Sequence, residues 1–144
     1  MGSVDLDRIR VTPLKRIPAA GGDVLHGMKR SDPGYTDFGE AYFSWIEEGA
    51  IKAWRKHQRM TLNLVAPIGQ VRVVLTPGPE ATVVREVELG EHHYCRLTVP
   101  PGVWVGFQGL RGRSLILNLA DMPHDDAEVD RLPLEAVAFD WSRP

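Results

Sequence analysis

Short apolar runs alternate with turn residues along the whole chain. Runs rich in Val, Ile, Leu, Thr and aromatics occur at "DVLHGMK", "FGEAYFSWI", "AIKAWRKHQ", "MTLNLVAP", "QVRVVLTP", "ATVVREVEL", "YCRLTVP", "VWVGFQG", "SLILNLAD" and "EAVAFDW". Gly and Pro separate them at the roughly 8–12-residue spacing of turns between short strands, which predicts an all-β sandwich or barrel. One short helix is predicted where His124-Asp125-Asp126 precedes Ala127, Glu128 and Val129, because acidic residues in a first turn complement the helix dipole. "RSDPGYTDFG" (30–39) and "TPGPEA" (76–81) read as loops. No repeat, low-complexity segment or interdomain linker interrupts the pattern, so residues 1–144 are expected to form a single domain.

Strand alternation assigns faces. In "FGEAYFSW", Glu40, Tyr42 and Ser44 share one face, and Ala41, Phe43 and Trp45 the other. In "IKAWRKHQ", Ala53, Arg55 and His57 share a face opposite Lys52, Trp54 and Lys56. In "TVPPGVWVGFQ" (98–108), Pro100-Pro101 ends a strand by removing two backbone donors, and Gly102 permits the turn that starts the next.

The formal net charge of −2 argues against nucleic acid or an anionic membrane as the main partner. No run approaches the ~20 apolar residues of a membrane span. "MGSVDLDRIR" lacks the apolar stretch of a signal peptide. A single cysteine, Cys95, fits a reducing compartment, so a cytoplasmic location is expected.

From Gly49 to Gly69, "GAIKAWRKHQRMTLNLVAPIG" has the spacing of the first cupin motif: glycine, five residues, two ligand positions separated by one residue, four more, a third ligand position, six more and glycine. Those positions hold Arg55, His57 and Leu62, and the remaining position, in "PPGVWV", holds Val105. Arg, Leu and Val are not metal ligands, so a cupin (jelly-roll) barrel with neither metal nor other cofactor is expected. Over roughly residues 14–141 the chain resembles the dTDP-4-dehydrorhamnose 3,5-epimerases and related sugar-nucleotide enzymes. The resemblance is carried by Gly22-Asp23, Gly49 to Lys52, "VPPGVWVGF", the strand ending in Asp121, and "LPLEAVAFDW", which resembles the family's terminal strand.

The resemblance places the epimerase base at Arg55, or at His57 after a two-residue slip, and a family arginine at Lys52. It places Glu40 and Tyr42 at a Gln and an Asn of the preceding strand. Met122 stands where the family has its acidic tyrosine, and the aspartate that pairs with the base lies in a C-terminal extension beyond these residues. The related dTDP-sugar 3,4-ketoisomerases carry His-x-His where this chain has Arg55 and His57.

Removing a proton beside a sugar ketone needs a base, a donor for the enolate oxygen and an acid. His57 is the candidate base, since histidine titrates near neutral pH. Arg55, or Lys52 if turned inward, would stabilise the enolate. Tyr42 is the candidate acid, and Glu40 would orient His57. Arg59, Arg72 or Lys29 would bind the two phosphates of a sugar nucleotide. The resemblance thus implies a homodimer that epimerises a nucleotide-linked 4-keto-6-deoxy sugar at C3 or C5 in surface-polysaccharide or glycan synthesis. 3,4-Ketoisomerisation is one alternative. A non-catalytic sugar-nucleotide binder is another, and a metal cupin recruiting His92, His93 or His124 is a third.

Overall fold

The computed structural model describes residues 6–81 and 83–144. Twelve strands follow in order: β1 (Arg10–Pro13), β2 (Arg16–Ile17), β3 (Val24–Leu25), β4 (Glu40–Ile46), β5 (Ile51–His57), β6 (Leu62–Ile68), β7 (Gln70–Thr76), β8 (Arg85–Gly90), β9 (Cys95–Val99), β10 (Trp104–Gly109), β11 (Ser114–Ala120) and β12 (Val129–Arg131). They form two five-stranded antiparallel sheets, β1-β9-β6-β11-β4 and β12-β5-β10-β7-β8, beside the small β2-β3 ribbon. The two sheets face each other as a jelly roll, matching the all-β expectation. Among the described residues, no helix is long and apolar enough to cross a membrane.

Alternation explains the core. Val71, Val73 and Leu75 of β7, Leu62 and Leu64 of β6, Leu97 and Val99 of β9, and Ile116 of β11 point between the sheets and are buried. Arg72 and Val74, one residue out of phase, face outward, and Val74 joins a second cluster with Trp54, Trp104, Val137 and Trp141. The C-terminal segment therefore lies across the outer face of β5, β10 and β7.

The expected terminal strand at "EAVAFDW" is absent. Leu134–Ala136 forms a 3₁₀ turn, and the following chain enters no sheet. Side chains satisfy its carbonyls instead of a strand ladder. Trp54 Nε1 donates to Leu134 O (3.1 Å), Gln108 Nε2 to Trp141 O (2.9 Å), and Arg72 Nη2 to Arg143 O (2.9 Å). The predicted short helix is likewise a 3₁₀ turn, Asp126–Glu128, capped by Asp125, whose side chain accepts from Ala127 N.

Outside the first sheet, the 26–39 loop is pinned by Arg96, which is wholly buried. Its guanidinium donates to Gly27 O (2.8 Å) and Pro33 O (2.7 Å) and pairs with Asp32 (3.4 Å). Arg96→Met removes the buried donor to both carbonyls and the partner of Asp32, and is expected to cost about 3 kcal/mol, read as a lowered Tm with faster amide exchange in residues 26–39.

Two irregularities set the site. Gly102, with φ +90, closes the Pro-Pro-Gly turn, and its N–H donates to His57 O (2.8 Å), tying that turn to the end of β5. Between the pairs Val105–Arg55 and Phe107–Lys52, β5 carries one residue more than β10, a β-bulge. Alternation had put Lys52 opposite Arg55 and His57. The extra residue reverses the parity and brings Lys52 onto their face, while Ala53 and Trp54 pack outward against the C-terminal cluster.

Candidate functional site

One end of the barrel is not filled by the core. It holds a cavity of about 550 Å³, within the size range of small-molecule sites. The wall from the first sheet presents Tyr42, Ser44 and Ile46 of β4, Leu62 and Leu64 of β6, and Ile116 and Asn118 of β11. The facing wall presents Lys52, Arg55 and His57 of β5, Val105 and Phe107 of β10, and Arg131 of β12. The four cupin ligand positions, Arg55, His57, Leu62 and Val105, thus converge on one cavity. Among the described residues, no group of three or more His, Cys, Asp or Glu side chains could hold a metal ion.

His57 is the most elaborately held of these groups. Its side chain is 11% exposed, and its Nδ1 is hydrogen-bonded to Glu128 Oε2. Glu128 is itself 3% exposed. Its second oxygen, Oε1, accepts from the backbone N–H of Arg59 (2.8 Å) and of Met60 (3.0 Å). Burial alone would raise the Glu128 carboxyl. The hydrogen bonds from His57 and from those two backbone amides outweigh it and hold the group below its ordinary value. An ionised Glu128 at Nδ1 fixes the proton there and leaves Nε2 with a free lone pair, the arrangement of a general base.

The linkage has a definite sign. A carboxylate with a depressed native pKa contributes stability above its unfolded pKa of about 4.3, and that contribution is lost as pH falls through the lower native value. Wild-type stability is therefore expected to fall more steeply than that of Glu128→Gln below about pH 4.3, in parallel thermal melts.

Glu128 was read from sequence only as an acid of a helix start. Its pairing with His57 spans 71 residues and is created when Val129 of β12 pairs with His57 of β5. No local signal marks it. The sequence pattern equally does not mark Arg131, Asn118 and Ser44 as cavity residues. β12 is only three residues long. Asn118 looks like one polar break in an apolar strand, and Ser44 was placed on a face but given no role.

The other candidates divide. Tyr42 lines the cavity, and its hydroxyl oxygen accepts from Asn118 Nδ2 (2.9 Å). Arg55 is exposed at the mouth beside its register partner Arg131, which is paired with Asp126 (2.6 Å). The Asp126 carboxyl is held below its ordinary value first by the hydrogen bond from Arg131 and then by that charge, with a smaller contribution from Arg55. Lys52 Nζ donates to Trp45 O (2.7 Å).

Four candidates stand apart from the cavity. Glu40 does not orient His57; its Oε1 accepts from His124 N (2.8 Å), and Glu128 takes the place expected for it. Arg59, exposed beyond the end of β5, pairs with Asp125 (3.0 Å). Arg72 lies on the outer face of β7, bonded to Gln108 and the C-terminal carbonyls, because its position is out of phase with the inward valines. Lys29 sits in the outer loop, where its backbone N–H donates to Asp32 (2.8 Å). His93 and His124 are separately engaged, with Glu88 O (2.7 Å) and Asp126 (3.8 Å).

No protein-family model and no curated protein matches the chain. Solved structures do. A dTDP-sugar isomerase from Desulfovibrio desulfuricans is 34% identical over 93% of this chain and 90% of its own, with a TM-score of 0.86. The 3,4-ketoisomerase QdtA from Thermoanaerobacterium thermosaccharolyticum, solved with TDP-4-keto-6-deoxyglucose, is 19% identical over 89% of this chain and 90% of its own, with a TM-score of 0.75. The 3,5-epimerase RmlC from Legionella pneumophila, solved with dTDP-4-keto-L-rhamnose, is 16% identical over 97% and 81%, with a TM-score of 0.80.

Proposed function

The chain belongs to the RmlC-like cupin family of dTDP-sugar isomerases and epimerases, and from that membership we propose that it epimerises a nucleotide-linked 4-keto-6-deoxy sugar at one carbon beside the ketone, C3 or C5. The observation that carries this reading is the buried Glu128–His57 pair opening on a cavity whose opposite wall carries Tyr42. His57 Nε2 takes the proton from the α-carbon, and the C–H electron pair moves onto the carbonyl oxygen. Glu128 stabilises the imidazolium that results. Arg55 offsets the enolate charge. Tyr42 returns a proton to carbon and is reprotonated by solvent.

Because His57 and Tyr42 stand on opposite sheets, a proton removed from one face of the enolate is returned to the other, which inverts the carbon. A second reading, 3,4-ketoisomerisation, is supported by His57 standing at the second His-x-His position, where one base would carry a proton from C3 to C4. At the mouth, Arg131 and Lys52 supply the positive charge that a diphosphate requires.

The reading includes a homodimer. β4 is an edge strand, and its outer face exposes Phe43 (62%) and Trp45 (41%). Trp45→Glu is expected to shift the mass measured by light scattering from dimer to monomer.

The direct test is product identification by NMR after incubation with dTDP-4-keto-6-deoxyglucose. A C3 or C5 epimer supports the first reading, and a 3-keto product supports the second. Unchanged substrate that still binds would leave a sugar-nucleotide binder.

A further inference from the structure

We propose that Asn118 is the positioning residue that makes Tyr42 a proton donor toward the cavity, an inference that rests on the epimerase reading above. Asn118 lies directly opposite Tyr42 in the β11–β4 register and is 3% exposed. The orientation of its amide is forced. Asn118 Oδ1 accepts the backbone N–H of Asn63 (3.0 Å), so Nδ2 must face the other way. There it donates to Tyr42 Oη (2.9 Å) and approaches Met60 Sδ (3.8 Å). A flipped amide would set its NH₂ against the Asn63 N–H, donor against donor.

The consequence falls on the phenol. Its oxygen accepts from Asn118, so its own hydrogen has to go elsewhere, and among the described residues Tyr42 donates to no acceptor. The open direction is the cavity that Tyr42 lines. The Asn118 donor also stays aimed at that oxygen while the proton leaves it for carbon. Asn118 therefore does for the acid what Glu128 does for the base, each from the strand or turn beside its partner.

Asn118→Asp is nearly isosteric and reverses the polarity. One carboxylate oxygen still accepts from Asn63 N–H, while the other draws the Tyr42 O–H away from the cavity. The test uses the full chain and dTDP-4-keto-6-deoxyglucose in D₂O, with exchange at the α-carbon and conversion to epimer followed in the same NMR sample. His57 can remove a proton and return a solvent deuteron to the same face without Tyr42. The variant is therefore expected to retain exchange while conversion falls about tenfold or more, raising the exchange-to-conversion ratio. A purely structural lesion lowers both together.

Tyr42→Phe is expected to show the same raised ratio, and adding Asn118→Asp to Tyr42→Phe to change it no further. Should the aspartate variant fold poorly, Asn118→Ala, which removes the donor to Tyr42 Oη without burying a charge, is expected to raise the ratio in the same direction, and an unchanged ratio there overturns the assignment. An unchanged ratio in Asn118→Asp, or additive effects in the double variant, overturns the assignment while the epimerase reading stands. A wild type that neither exchanges nor converts overturns both.

Discussion

Glu128→Gln is expected to fold as the wild type does and to lose about 10³–10⁴-fold in kcat, with little change in KM. The glutamine can keep its carbonyl oxygen on the backbone N–H groups of Arg59 and Met60, so the local fold retains its acceptor. Its amide NH₂ then faces His57 Nδ1, where the wild type has a carboxylate oxygen. A donor at that position forces Nδ1 to accept and moves the ring proton to Nε2. The nitrogen that should take the substrate proton is then already protonated. Glu128→Ala differs: it leaves the Arg59 N–H and the buried Met60 N–H without their acceptor and should also lose roughly 2–4 kcal/mol of stability. Steady-state kinetics with thermal melts separates the two variants, one catalytic and one both catalytic and structural. If Glu128→Gln keeps wild-type kcat, the carboxylate does not set the tautomer.

His57→Ala is expected to abolish the reaction to within the background, a loss of about 10⁴-fold or more, and to remove α-carbon exchange with it. No neighbour can take over. A guanidinium is not a base, so Arg55 cannot substitute, and Lys52 is tied to Trp45 O. Tyr42 stands on the opposite wall, where it serves the other face of the sugar. The contrast with Asn118→Asp is diagnostic, since one variant loses exchange and the other keeps it. Single-turnover NMR of substrate in D₂O reads both. Residual exchange in His57→Ala at wild-type rate would move the base to another residue.

Eight of the ten strands in the two large sheets were legible because each carries its own pattern; β1 and β12, four and three residues long, carry none. β7 reads as the β-branched run "QVRVVLTP", and β4 reads as Glu40, Tyr42 and Ser44 against Ala41, Phe43 and Trp45. What alternation could not show was where a strand breaks phase. The bulge in β5 turns Lys52 onto the face of Arg55 and His57, and no residue type announces it. The same limit applies to "EAVAFDW", whose strand-like composition is held by Trp54, Arg72 and Gln108 side chains rather than by a ladder.

The site was half legible. His57, Arg55 and Tyr42 were named from the first cupin motif and the strand before it, and the structure brings all three to one cavity. Glu128 and Asn118 were not, because each matters only through a partner brought beside it by pairing between strands far apart in sequence. Alternation and the resemblance point to a carboxylate on the neighbouring strand, at Glu40, or in a C-terminal extension. It comes instead from the short turn before β12. Arg72 illustrates the opposite error: a cation in the right barrel but on the wrong face of its strand.

The central claim is that His57, held by Glu128, enolises a nucleotide-linked 4-keto sugar in this cavity. Its most direct test is solvent exchange with dTDP-4-keto-6-deoxyglucose in D₂O, comparing the wild type with Glu128→Gln by proton NMR. The account predicts deuterium entering at C3 or C5 in the wild type, at a rate that falls by about 10³-fold or more in the variant. Substrate that binds the wild type and acquires no deuterium, or equal exchange in both proteins, would contradict it.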